Sequence, residues 1–215
     1  MGRDVKPERR RATAAPQART RRTKASVLEA ARTLFDERGY AATTIEAISE
    51  RADTPQPTIY RLFASKLGIL KAAIDVAIVG DDEDVAMADR PPVQELLADP
   101  DPHQRLDRFA ALLADLMART APVHRLLADA ARSDPEAAGL LAEISRRRQE
   151  GQRRIARSLA RSGALRPELR ERDAADVIHA LASPEVYGLL VLDRGWTGER
   201  YERWIADTLR QQLLP

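Results

Sequence analysis

Between Ala25 and Leu70 three short amphipathic segments follow one another with only a few residues between them, which leaves the chain few ways to fold there. In the first, Val27, Leu28, Ala31, Leu34 and Phe35 recur on one helical face, with Glu29, Arg32, Asp36 and Glu37 opposite. Ser26 and Glu29 have capping-box spacing, with Thr23 as an alternative start. Gly39 ends the segment, since glycine accepts the left-handed conformation after a last turn. Thr43 and Glu46 repeat the capping spacing ahead of a second helix, in which Ile45 and Ile48 point inward and Ala52 closes. Asp53-Thr54-Pro55 is the turn. Thr54 caps the third helix, with Pro55 and Pro57 in its first turn, where a backbone N–H has no intrahelical partner to lose. Ile59 and Phe63, at i and i+4, anchor this helix to the other two. The pattern predicts a helix-turn-helix.

The third helix leaves Gln56, Thr58 and Arg61 facing out. An exposed helix N-terminus with small and amide side chains suits the reading of base edges. Gln bonds adenine at two points, and the Thr and Pro carbons touch a thymine methyl. Tyr60 and Lys66 suit phosphates, and Lys66 opens the next helix, whose N-terminal N–H groups also attract a phosphate. Periodicity alone is weaker evidence, because three amphipathic helices occur in many proteins that never meet DNA. Taken singly, Tyr60 is more often a packing residue.

The run Ala30-Ala31, Leu34-Phe35, Arg38-Gly39-Tyr40, Thr43-Thr44-Ile45, Ile48-Ser49, Arg51-Ala52, Thr58-Ile59-Tyr60-Arg61, Phe63, Ser65-Lys66 and Leu70 resembles the TetR/AcrR family of bacterial one-component regulators. Gln56-Pro57-Thr58 is similar to the tripeptide of the family's founding repressor. The resemblance implies that these three touch bases, with Tyr60 and Lys66 near the backbone and Thr44 near a phosphate. Adding Thr54 and Arg61 gives the candidate DNA-binding set Thr44, Thr54, Gln56, Pro57, Thr58, Tyr60, Arg61 and Lys66. The chain departs from the family at Asp53-Thr54, where Gly-Val is common, at Pro55 and at Leu62. Asp tolerates the left-handed conformation better than most residues, so the turn is expected to survive. No phosphate contact is carried onto Leu62.

Net charge is +2, unevenly spread. Residues 1–24 hold nine Lys/Arg and two acids, a net of +7, so the remainder sums to −5. Residues 1–22, with Arg9-Arg10-Arg11 and Arg19, Arg21 and Arg22, show no periodicity and read as a disordered basic arm. Such an arm either follows the DNA backbone or is a solvated tail. There is no cysteine, which excludes disulfides and thiolate metal sites. No uninterrupted apolar run of membrane-spanning length and no secretory h-region are seen, so the expected location is the cytoplasm.

Residues 66–79 read as a connecting helix with a Leu67, Leu70, Ala73, Ile74, Ala77 or Ile78 seam, ended by Gly80. Asp81-Asp82-Glu83-Asp84 lacks EF-hand spacing and reads as a solvated loop. From Val93 onward the pattern is helical. Val93–Ala98 comes first, then a helix opened by Asp101-Pro102 and another started by Pro122. A long helix from Pro135, capped by Ser133 or Asp134, follows, with Leu140, Leu141, Ile144, Ile155 and Leu159 inward and Gly163 as its stop. Its Arg146-Arg147-Arg148 and Arg153-Arg154 read as a solvated face or intersubunit ion pairs. A helix from about Glu168 to Asp193, kinked at Pro184, and one from about Thr197 to Leu213 end the chain.

The expected architecture is therefore all-α: a basic arm (1–22), an N-terminal three-helix helix-turn-helix DNA-binding domain (23–66) and a larger helical domain (67–215) for effector binding and dimerisation. The last two helices are apolar enough to pair with a second copy in a four-helix bundle or to complete the protomer's own core. The resemblance favours the homodimer, through Val177, Leu181, Val186, Leu190, Tyr201, Trp204, Ile205 and Leu209. It also implies a pocket for a small-molecule effector, for which Phe109, Met117, His124, His179 and Tyr187 are the candidate lining. No Gly-rich phosphate loop, H-E-x-x-H or nucleophile elbow is present, so neither enzyme activity nor a cofactor or metal is expected. The expected function is a repressor that binds a palindromic double-stranded operator as a homodimer. Its rivals are an architectural DNA-binding protein without an effector, and a helical enzyme or binding protein with a purely structural N-terminus.

Overall fold

The computed structural model describes residues 9–79 and 90–215, and every regular element among them is helical. Residues 1–8, Gly80 and the acidic 81–84 run lie outside the described residues. The chain divides into two compact units, Met1–Ala73 and Ile74–Pro215.

The first unit holds α1 (Arg9–Ala42), α2 (Ile45–Arg51), α3 (Gln56–Phe63) and the start of α4 (Lys66–Val79). Val27, Ala31, Leu34, Phe35, Ile48, Ile59, Phe63, Ile69 and Leu70 are its buried core. Leu28 is only half-buried, and Ala30 takes the expected place beside Ala31. Gly39 breaks α1 with φ 75°, as its position predicts. Residues 9–22 are helical, which corrects the expectation of a disordered arm for that stretch. Ala, Arg and Gln are strong helix formers, and a helix already nucleated by its packed downstream turns extends without a new nucleation cost. Thr23 and Ser26 consequently start nothing. Thr23 Oγ1 donates to the Arg19 carbonyl at 3.0 Å, and Ser26 Oγ reaches across to the Ala52 carbonyl at 3.2 Å.

The second unit contains α5 (Pro91–Ala98), α6 (Pro102–Ala130), α7 (Pro135–Arg161), α8 (Glu171–Leu181), α9 (Pro184–Tyr187) with a π-helical turn (Gly188–Leu192), and α10 (Gly198–Leu213). α6 is its central post, packed by α5, α7, α9 and α10, and α7 and α10 also contact α8. Leu96, Leu106, Leu113, Met117, Ile155, Leu159, Ile178, Tyr187, Tyr201, Ile205, Leu209 and Leu213 form one continuous core. Asp101, Asp134 and Thr197 cap α6, α7 and α10 through their side chains. Gly163 takes φ 66° just past α7.

Two boundaries differ from expectation. Pro122 lies inside α6 instead of starting a new helix. It forgoes one backbone bond, but Ala121, Val123 and Leu127 are buried around it, and continuous core packing outweighs the local loss. Pro184 does not kink a long helix; it restarts one. Ala182 ends α8, and Ser183 Oγ accepts from the Val186 N–H at 3.2 Å, with proline in the permitted first turn. The stretch Glu171–Leu192 has the length and hydropathy of a membrane span. It is interrupted at Ala182–Ser183, and its Ala174, Ala175, Ile178 and Tyr187 are buried in the core. On α7, Leu140, Leu141 and Ile144 are half-buried, and the fully buried stripe is Ala137, Gln152, Ile155, Ala156 and Leu159.

Of the expected dimer residues, Tyr201, Ile205 and Leu209 are completely buried within the protomer. A side chain already sealed in its own core has no surface to offer a partner. Val177, Leu181, Val186, Leu190 and Trp204 remain half-buried. The extra residue of the π turn leaves Leu189 and Leu192 exposed beside them.

Tyr201 meets Tyr187 edge-on, with ring centroids 4.8 Å apart, but its hydroxyl finds no partner among the described residues. Burial pushes that hydroxyl well above the ordinary tyrosine pKa. An orphaned buried hydroxyl costs about 1–3 kcal/mol. Tyr201→Phe should therefore raise the melting temperature of the full chain in thermal denaturation. A fall would mean that the hydroxyl has a partner in solution.

Candidate nucleic-acid interface

The local geometry of α3 follows from its sequence. Ile59 and Phe63 are buried at i and i+4 and fix its inner face. Pro55 is the N-cap and Pro57 falls in the first turn. Gln56, Pro57, Tyr60 and Arg61 are exposed, Tyr60 by 51%, and Thr58 is half-buried. The first turn of α3 thus presents the side chains suited to base edges, and Tyr60 and Arg61 stand beside them. Thr44 is exposed at the start of α2. It is the N-cap there, its Oγ1 accepting from the Ala47 N–H at 3.1 Å. Thr43, expected to share that duty with Glu46, is buried and donates to the carbonyls of Gly39 and Leu34.

Thr54 does not belong to the exposed set. It is buried, and its hydroxyl donates to the Ala52 carbonyl at 3.1 Å. Its own carbonyl accepts from Ser49 Oγ at 2.7 Å. Since Ser26 also donates to Ala52, three hydroxyls tie the turn between α2 and α3. Thr54 is a turn residue, neither the cap nor a DNA contact. Asp53 takes φ 46°, the left-handed conformation expected of it.

Lys66 also departs from its expected place. Its ammonium donates to the carbonyls of Tyr40 and Thr43, each at 2.8 Å, and sits 4.3 Å from the centroid of the Tyr40 ring. It closes the end of α1 against the start of α4 instead of standing free for a phosphate. Sequence reasoning missed this because the acceptors are backbone carbonyls more than twenty residues upstream, which no spacing rule reports. Beside it, Ala64 has φ 65° and Ser65 Oγ accepts from the Gly68 N–H at 3.0 Å. A Cβ on Gly68 would fall 1.8 Å from the Phe63 carbonyl oxygen. Only glycine lets α4 start so close to the end of α3.

In the second unit the expected pocket residues divide. Met117 and Tyr187 are core, and Phe109 packs against that core. His124 and His179 join a polar cluster with Arg148, Gln152 and Glu185. His179 Nδ1 lies 2.7 Å from Gln152 Oε1, and its Nε2 lies 3.3 Å from Arg148 Nη2. Gln152 and Arg148 both donate to the Ala182 carbonyl, where α8 ends. Burial lowers the pKa of His124; the Glu185 carboxylate opposes this and Arg148 adds to it. Burial, then Arg148, lowers that of His179, against Glu185 and Asp176, with Arg153 adding to the fall. Arg148 and Gln152 were not among the candidates. Arg148 was legible only as part of a basic run. His103, by contrast, lies exposed in the first turn of α6.

The geometry defines a helix-turn-helix whose third helix, α3, presents one exposed face. Residues 27–73 match the family model described as bacterial regulatory proteins, tetR family. The likeness to bacterial regulatory proteins of the tetR family covers the helix-turn-helix of this chain. Solved structures share its fold over most of their length. PfmR, a TetR family transcriptional regulator from Thermus thermophilus, is 23% identical with TM-score 0.61, the match covering 88% of this chain and 96% of that one. NalD of Pseudomonas aeruginosa, the secondary repressor of a multidrug efflux pump, is 19% identical with TM-score 0.67, covering 91% and 98%. A protein of Saccharomonospora viridis assigned as a transcriptional regulator, solved in complex with choline, is 20% identical with TM-score 0.64, covering 89% and 97%. No curated protein sequence matches.

Two expectations follow. Lys66→Met should lower the melting temperature, because charge-assisted bonds of this kind contribute about 1.5–3 kcal/mol each. It should leave the salt dependence of DNA binding unchanged, as read from affinities at several salt concentrations; a phosphate-contacting lysine would reduce the slope by about one. The histidine cluster sets a pH response. Both folded-state values lie below the ordinary 6.5, so the unfolded chain takes up protons first as pH falls. Stability present at neutral pH is then lost as the pH drops below that value. Melting curves between pH 7.5 and 5 should show the loss, and His124→Gln should shrink it.

Proposed function

We propose that this protein is a ligand-responsive repressor that binds a palindromic operator as a homodimer. The observation that carries the reading is the exposed face of α3, where Gln56, Pro57, Tyr60 and Arg61 stand on a helix fixed by Ile59 and Phe63. Gln56 and Pro57, with the half-buried Thr58, take the base edges in the major groove. Tyr60, Arg61 and Thr44 take the backbone. Two such helices, roughly 34–36 Å apart, fit successive major grooves on one side of the duplex. Arg19, Arg21 and Arg22, exposed on α1, add sequence-independent attraction. A protein that reads bacterial DNA acts in the cytoplasm and needs no catalytic site.

The support for a dimer is apolar surface on the last elements. Leu189 and Leu192 are exposed, and Val177, Leu181, Val186, Leu190 and Trp204 are half-buried. A second copy covering this face buries all seven. The support for an effector is the polar cluster of His124, Arg148, Gln152 and His179, at the interruption between α8 and α9. A ligand bonded there would favour one arrangement of the two helices. It can shift the balance only by its difference in affinity between the two states. The structural neighbour that holds choline has the same fold and is consistent with a small-molecule ligand.

Selection of bound sequences from random duplex DNA at about 150 mM salt tests the reading. A palindrome with half-sites one helical turn apart is the expected result. Sequence-blind enrichment would point to an architectural DNA-binding protein. Gln56→Ala should cost about 1–3 kcal/mol at one base position of each half-site and relax the preference there. An unchanged preference would sink the assignment of α3 as the reading helix.

A further inference from the structure

An open groove of about 480 Å³ lies in the second unit, lined by Arg105, Arg154, Arg157, Arg161, Ser158 and Ser162 among others. The polar cluster around His124 contributes none of these residues. Its volume falls within the range of small-molecule sites. What sets it apart is charge. Arg105 is 4% exposed. Its Nε and Nη2 donate to the Asp99 carbonyl at 3.1 and 2.6 Å, and its Nη1 donates to Ser158 Oγ and Ser162 Oγ, both at 3.3 Å. Every one of those acceptors is neutral. The Asp99 carboxylate is matched to Arg108 Nε at 3.1 Å and accepts from the Asp101 N–H at 3.0 Å. A guanidinium taken almost wholly out of water without a counter-ion is costly unless a negative charge is brought near it.

The groove's other three arginines increase the imbalance. Arg154, Arg157 and Arg161 follow at i, i+3 and i+7 on α7, one stripe spanning about 10 Å at the α-helical rise. Among the described residues, Arg157 has the Glu171 carboxylate at 3.3 Å, and no acceptor is within reach of Arg154 or Arg161. Elsewhere on α7, Arg146 and Arg147 are paired with Glu150 and Glu143 one turn away. Four guanidinium groups and one carboxylate leave three positive charges uncompensated around one groove.

We propose that this groove binds a small phosphate-bearing polyanion, with a diphosphate as the minimal ligand. One carboxylate would satisfy a single guanidinium fork and leave two charges over. A diphosphate carries charge close to the three left uncompensated and offers acceptor oxygens to several forks at once, the bidentate geometry that arginine favours. Arg154 and Arg161 supply the free donors, Arg157 turns part of its fork from Glu171, and Arg105 contributes its charge from the floor while keeping its bonds. The site rests on no reading of α3 and stands whether or not the operator is palindromic.

The test is calorimetric titration of the full chain with inorganic pyrophosphate at about 150 mM salt, where exposed charges are largely screened. The expected result is one site per chain. Arg154→Gln/Arg161→Gln should weaken it at least tenfold while leaving the unliganded melting temperature unchanged or raised, since like charges are removed from an exposed face. Pyrophosphate should raise the melting temperature of the unaltered chain and not that of this variant. Arg19→Gln/Arg21→Gln/Arg22→Gln, in the basic N-terminal helix, should leave pyrophosphate affinity intact. ADP binding at the same stoichiometry would place the diphosphate within a nucleotide, and orthophosphate should bind more weakly than either. The proposal is overturned if pyrophosphate does not bind, if its affinity survives the α7 double variant or falls with the N-terminal one, or if citrate binds as well, which would make the groove a carboxylate site.

Discussion

The placement of α3 depends on how closely α4 starts to its end. The backbone turns there through a left-handed alanine, Ala64, and the next helix begins so near the Phe63 carbonyl that position 68 has no room for a Cβ. Lys66 then reaches from the same turn to the carbonyls of Tyr40 and Thr43 and closes the end of α1. One short segment therefore holds three helices. On the opposite side of α3, Ser26, Ser49 and Thr54 bond the turn that precedes it. With both ends tied and Ile59 and Phe63 buried, the outward side chains of α3 stand on a rigid support. The base-edge reading proposed for α3 requires such a support, because a bidentate contact is lost when its donors move by a fraction of an ångström.

The second unit is organised around α6, a helix long enough to contact α5, α7, α9 and α10. Its core is apolar, with the Tyr187 and Tyr201 rings in contact, except where it stores polar groups. Arg105 holds the Asp99 carbonyl and two α7 serines, and Gln152 and Arg148 hold the carbonyl at which α8 ends. Arg166 fastens the C-terminus in the same way, donating to the carbonyls of Gln211 and Leu214. Each of these long side chains satisfies backbone groups that a helix end leaves without partners. Arginine is abundant in the chain, and part of that abundance serves as internal bonding rather than as surface charge.

Much of the first unit was legible from residue pattern. The apolar stripes of α1 and α3, the glycine break at Gly39 and the left-handed Asp53 all follow from local periodicity and backbone preference, which act over a few residues. Gln56 and Arg61 were legible as outward positions for the same reason: once Ile59 and Phe63 point in, the helical period decides the rest, although Thr58, read as outward with them, is half-buried. Thr54 and Lys66 were misread. Both are polar residues beside an interface, and pattern cannot distinguish a hydroxyl or ammonium turned to solvent from one bonded to a distant carbonyl. Pro122 was read as a helix start and Pro184 as a kink, and each took the other's place, Pro122 inside α6 and Pro184 starting α9, because the packing around each decides whether a lost backbone bond is tolerated.

The sequence by itself determined the all-helical class, the helix-turn-helix, the capped starts of the later helices and the side chains that α3 exposes. These depend on intervals of three to eight residues, where covalent geometry links neighbours. The tertiary structure alone decided that Tyr201, Ile205 and Leu209 belong to the protomer's own core while Leu189 and Leu192 remain outside it. It also brought His124, Arg148, Gln152, His179 and Glu185 together and gathered four arginines from α6 and α7 around one groove. An apolar or charged stripe marks a face that requires a neighbour. Which neighbour it meets depends on contacts between residues far apart in the chain, set when the helices pack.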